Sequence, residues 1–110
     1  MIGKFNEKKA LSLLMEFLAI EGVTGKEKLI AKAVENSLIS FGVPKKFIFF
    51  DNVKNKIPLP TETGNLIVKL PGTIKGQRKL FMTHLDTVPL CSGAVPIKKI
   101  IKLYHKITLL

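Results

Sequence analysis

The residues best placed to do chemistry in this chain are His84 and Asp86, two positions apart in Leu80-Phe81-Met82-Thr83-His84-Leu85-Asp86-Thr87-Val88-Pro89. A neutral imidazole is a good zinc ligand, and a carboxylate beside it accepts the proton on the other ring nitrogen, which fixes the tautomer and raises ligand basicity. In that division of labour His84 is the candidate metal ligand and Asp86 the group that orients it. The pair lies where an apolar run gives way to a Pro-terminated loop, and functional residues gather on loops held by a rigid scaffold. Spacing alone leaves a surface or structural role open, since a His-x-Asp triplet recurs by chance. Other candidates are weaker. Glu62 and His105 read as surface groups, and Cys91 has no activating partner nearby in the sequence.

The elements that must hold this pair are legible in the preceding residues. From Asn6 to Ile20 the chain reads as a helix capped by Asn6, with Glu7 in the first turn and Leu11, Leu14, Met15 and Leu18 on one face. After the breakers Gly22 and Gly25, Thr24 and Glu27 have the spacing of a capping box. Ile30, Val34, Leu38 and Phe41 continue as an apolar stripe up to Gly42, a helix-ending residue ahead of Pro44. Phe47 to Phe50 has strand character, Asp51 to Thr63 reads as a Lys-rich loop bounded by prolines, and Asn65 to Leu70 is a second strand. Lys79 to Thr83 is a third strand, leading directly into His84. The order of two helices and then about three strands predicts a mixed α/β layer with an incomplete sheet.

Composition narrows the function classes. The 110 residues suit one small domain, and 46% hydrophobic content is enough for a modest core. Lys and Arg number 18 against 8 Asp and Glu, a net charge of +10 that favours anionic partners. Only Asp86 among the carboxylates lies beyond residue 63. One cysteine excludes an internal disulfide and a multi-thiolate zinc site, in keeping with a reducing compartment. The first residues lack the apolar core of a signal peptide, and no run of about 18 apolar residues exists to span a bilayer, so a cytoplasmic location is expected. The Phe47 to Phe50 run alternates faces as a core strand does, not as a base-stacking platform, so no nucleic-acid partner is expected.

Taken together, Gly64-Asn65-Leu66-Ile67-Val68-Lys69-Leu70-Pro71-Gly72 followed by Leu80-Phe81-Met82-Thr83-His84-Leu85-Asp86-Thr87-Val88-Pro89 resembles the Gly-Asn-Leu-Ile strand and His-x-Asp-Thr-Val-Pro motif of the M20 zinc peptidases. Phe17-Leu18-Ala19-Ile20 leading into Gly22-Val23-Thr24-Gly25-Lys26-Glu27 is similar to the helix, Ser-Gly-x-Glu turn and second helix of the same family. The resemblance runs in order from about residue 8 to about residue 96, and Leu90-Cys91-Ser92-Gly93-Ala94 is most similar to the tripeptide aminopeptidase (peptidase T-like) branch. It implies the amino-terminal part of a zinc-exopeptidase catalytic domain over residues 1–96, with His84 on one of two zinc ions and Asp86 as the catalytic aspartate beside it. It also implies short peptides as substrates, cleaved from the amino end.

The family's bridging aspartate, its Glu-Glu pair and its second ligand histidine come later in the chain, yet residues 87 to 110 contain no Asp or Glu. Zinc catalysis needs about three protein ligands, an open position for water, and a base to take that water's proton. The expectation is therefore a truncated peptidase, inactive alone and binding zinc at most weakly, or one part of a split enzyme completed by a fragment encoded downstream. The alternative from a different class is a small basic module for an anionic membrane or nucleic acid. Residues 97–110 depart from the family pattern. There Ile97, Ile100, Ile101, Tyr104 and Ile107 oppose Lys98, Lys99, Lys102, His105 and Lys106 as in a basic amphipathic helix. The favoured reading makes this tail an accident of truncation, with no membrane contact expected through it.

Overall fold

In the computed structural model, which describes residues 4–99, the chain begins with a helix whose start is set by a side chain. Asn6 accepts the backbone N–H of Lys9 at 3.0 Å, which satisfies one of the donors left free at a helix N-terminus, and α1 runs Glu7–Ala19. Its apolar face is only partly covered. Leu11 and Met15 are half-buried, whereas Leu14 and Leu18, assigned to the same stripe, are more than half exposed.

Helix α2 spans Lys28–Ser40 and carries most of the core. Ile30 and Ala31 are buried on it, and Ile48 from the first strand completes the buried apolar set among the described residues. Burying one such isoleucine contributes about 1.5–3 kcal/mol, so this core gives modest stability. Glu35 is buried too and pairs with Lys32 one turn before it, so its charge is not left uncompensated. The helix ends at a left-handed glycine: Gly42 has φ +94°, the Val43 N–H reaches the Leu38 carbonyl at 3.0 Å, and the Gly42 N–H reaches Ile39 at 2.9 Å. That is the Schellman pattern, which consumes two of the carbonyls a helix C-terminus leaves free. At the same end the Lys9 ammonium lies 4.5 Å from the centre of the Phe41 ring, tying the start of α1 to the end of α2.

The strands β1, Ile48–Phe50, and β2, Leu66–Val68, pair antiparallel with Ile48 opposite Val68, Phe49 opposite Ile67 and Phe50 opposite Leu66. Both are shorter than the sequence suggests. Lys45–Phe47 forms a 3-10 turn, which moves the start of β1 to Ile48. Asn65 is held by Asp51 at one end of β2, and Pro71, which lacks an N–H, follows Leu70 at the other.

Two expectations are corrected. The predicted strand at Lys79 to Thr83 is absent, and the sheet of the described residues has two strands. Leu80, Phe81 and Met82 are 82%, 89% and 84% exposed. Strand propensity in an apolar run is realised only against a hydrogen-bonding neighbour, and no edge here pairs with this segment. It instead flanks a cleft of about 680 Å³ whose other walls include Leu66, Ile67 and Val68 of β2 and Val34 and Leu38 of α2. The capping box is also absent. Glu27, not Thr24, precedes α2, and its carboxylate accepts the N–H of Gly25 at 2.6 Å. Of the predicted tail helix, residues 97 to 99 carry no regular structure and the remainder, with His105, lies outside the described residues. No helix among the described residues is long and apolar enough to cross a membrane.

Candidate functional site

The segment carrying His84 and Asp86 has no regular structure of its own, so its shape comes from what it is tied to. That anchor is the turn between α1 and α2. The Thr87 N–H donates to the Gly22 carbonyl at 2.8 Å and the Thr24 N–H to the Thr87 carbonyl at 3.1 Å, one parallel bridge centred on Val23 and Thr87. A side-chain hydrogen bond from Ser92 to Glu21 adds a second tie a few residues on. Gly22 makes the approach possible: a Cβ there would stand 2.6 Å from the Ile30 side chain and 3.6 Å from the Leu85 carbonyl oxygen. The bridge and the Thr24 hydroxyl thus tie residues 84 to 87 to the turn between α1 and α2.

Within this frame the His84 Nδ1 lies 2.9 Å from the Asp86 carbonyl oxygen and 3.2 Å from Asp86 Oδ1. Both neighbours are acceptors, so the Nδ1 carries the proton and Nε2 keeps its lone pair in the neutral ring. The ring is 83% exposed, and Asp86 is 34% exposed. The other carboxylate oxygen, Oδ2, accepts the Thr24 hydroxyl at 2.7 Å. That bond is the main reason the Asp86 carboxyl is held below its usual range; partial burial opposes it, and its own backbone and His84 assist.

Asp86 and His84 thus stand together, with two Asp86 oxygens facing the ring's Nδ1. The remaining candidates do not join them. Glu62 accepts the N–H of Lys28 at 3.4 Å and so sits at the first turn of α2. Cys91 is exposed in the 3-10 turn Pro89–Cys91, with no partner thiol. Among the described residues no group of three or more His, Cys, Asp or Glu is close enough to hold a metal ion. One imidazole nitrogen does not fit a two-zinc centre, which needs several ligands and a bridging group.

Sequence reasoning overlooked Thr24 as a site residue. Its local spacing suggested a helix cap, and its partner Asp86 is 62 positions away, a distance no short-range pattern spans. The sequence places the Gly-Asn motif at the start of a strand, and its more specific role also appears only in three dimensions. Asn65 donates through both its N–H and its side-chain amide to the Asp51 carboxylate, at 2.9 Å each, and Val53 N–H adds a third bond at 3.2 Å.

Compared with known protein families, curated proteins and solved structures, the chain finds no match. The likeness to M20 peptidases therefore stands on the motifs of the sequence.

Proposed function

We propose that these 110 residues carry the first metal-binding segment of an M20-like zinc exopeptidase, in which His84 offers Nε2 to a metal and Asp86 orients it. The observation that supports this most directly is the His84 ring, held at Nδ1 by two Asp86 oxygens, at 2.9 Å and 3.2 Å, with its other nitrogen on an exposed ring. That is how a carboxylate prepares a histidine to bind metal. The order of the Gly64-Asn65-Leu66-Ile67 and His84-Leu85-Asp86-Thr87-Val88-Pro89 motifs supports the same reading. The bridging ligand and general base must be supplied by further polypeptide, in the same chain or another, because residues 87 to 110 hold no carboxylate.

The test is a calorimetric zinc titration of the 110 residues beside an aminopeptidase assay on short peptides with added zinc. Weak binding lost in His84→Ala, and no turnover, are the expected results. Two tightly bound ions per chain, or turnover abolished by His84→Ala, would show that these residues hold a full ligand set and overturn the reading.

A further inference from the structure

We propose that Thr24 is a positioning residue of the site: through its hydroxyl it holds the Asp86 carboxylate toward the His84 ring and so adds to the Asp86 carbonyl oxygen, 2.9 Å from Nδ1, in favouring the tautomer that leaves Nε2 free. The inference rests on the functional reading above but concerns the metal-free chain. A carboxylate at the end of a loop can turn about its last torsion, presenting either oxygen or neither to a neighbour. Here Oδ2 takes the Thr24 hydroxyl at 2.7 Å, while Oδ1 faces His84 Nδ1 at 3.2 Å. One oxygen is pinned from the helix turn, which leaves the other for the ring.

Threonine suits this task. Its β-branched side chain has a stiff first torsion, so the hydroxyl direction follows from the backbone, and the backbone at this position is itself held. The Thr24 N–H is bonded to the Thr87 carbonyl at 3.1 Å, one residue beyond Asp86. The Thr24 oxygen is 3.4 Å from that same carbonyl, a poorer acceptor than the carboxylate at 2.7 Å, so the hydroxyl proton goes to Asp86. The α1–α2 turn therefore carries a donor for the functional loop as well as the backbone bridge that seats it.

The test reads the His84 tautomer ratio from the ring nitrogen shifts by NMR, in the metal-free full chain at a pH where imidazoles are neutral. Thr24→Val keeps the shape and removes the donor, Thr24→Ser keeps the donor, and Asp86→Ala removes the carboxylate. The expected result is a ratio of Nδ1–H to Nε2–H that falls in Thr24→Val by up to about fivefold, the effect of one net hydrogen bond. Thr24→Ser should keep the ratio, and in an Asp86→Ala background Thr24→Val should have no further effect. A folded Thr24→Val chain with an unchanged ratio would refute the proposal, as would an equal fall with Asp86 already removed, since Thr24 would then act through the backbone. Should Thr24→Val fail to fold, Asp86→Ala decides alone: an unchanged ratio there means the carboxylate does not govern the ring. None of these outcomes depends on zinc affinity, so the proposal and the metal-site reading fail separately.

Discussion

Substituting Gly64 by alanine probes whether the Gly-Asn motif is part of what holds this small fold together. A Cβ at Gly64 would stand 2.8 Å from the Asp51 carbonyl carbon and closer still to that carbonyl's oxygen. These are backbone atoms at the end of β1, so no side-chain rotation relieves the clash, and the two strands must move apart where the Asp51 N–H meets the Asn65 carbonyl at 3.1 Å. Overpacking of this kind costs about 1–3 kcal/mol. Against the low total stability that so few buried side chains provide, a loss of about 2 kcal/mol should lower the melting temperature by roughly 8–16 °C. The assay is thermal and urea unfolding followed by circular dichroism, with Gly76→Ala as the control. Gly76 has nothing within 4 Å of a built Cβ and no left-handed φ, so its substitution should change stability by less than about 0.5 kcal/mol. A Gly64→Ala chain as stable as the parent, or one no worse than Gly76→Ala, would show that the Gly64–Asp51 approach is not a constraint on the fold.

Two further perturbations follow from the same geometry. At Gly42 space is open but φ is +94°, so alanine there should cost about 1–2 kcal/mol through backbone strain alone and asparagine less, which urea midpoints for the two variants would check. Asp51 is held below its usual carboxylate range of about 3.8, chiefly by the Asn65 side-chain amide. A group whose folded pKa is depressed stabilises the fold fully above its unfolded value and loses that contribution as pH falls through the folded one. Urea midpoints should therefore drop as pH is lowered below about 4, and the drop should be smaller in Asp51→Asn; an identical acid profile would exclude Asp51 as a contributor.

Local chemistry was legible in the residues themselves. Asn6 caps α1 and Gly42 ends α2 because those signals act within four or five residues of the chain, where sequence neighbours are also spatial neighbours. The His84–Asp86 pair was legible for the same reason, since two positions of separation suffice to bring a carboxylate to a ring nitrogen. Tertiary contact decided the rest. Lys79 to Thr83 has the composition of a strand but pairs with neither strand of the sheet, and a ladder needs a neighbour that no run of residues can provide for itself. Thr24 and Glu27 have the spacing of a capping box, yet α2 starts after Glu27, whose carboxylate accepts the Gly25 N–H, and the Thr24 hydroxyl donates to Asp86, brought across by the Val23–Thr87 bridge. The sequence by itself thus determined where α1 begins and where α2 ends, and that His84 and Asp86 lie close enough to pair. Only the fold decided which strand forms and which distant hydroxyl holds the aspartate, because both depend on hydrogen-bond partners that approach from elsewhere in the chain.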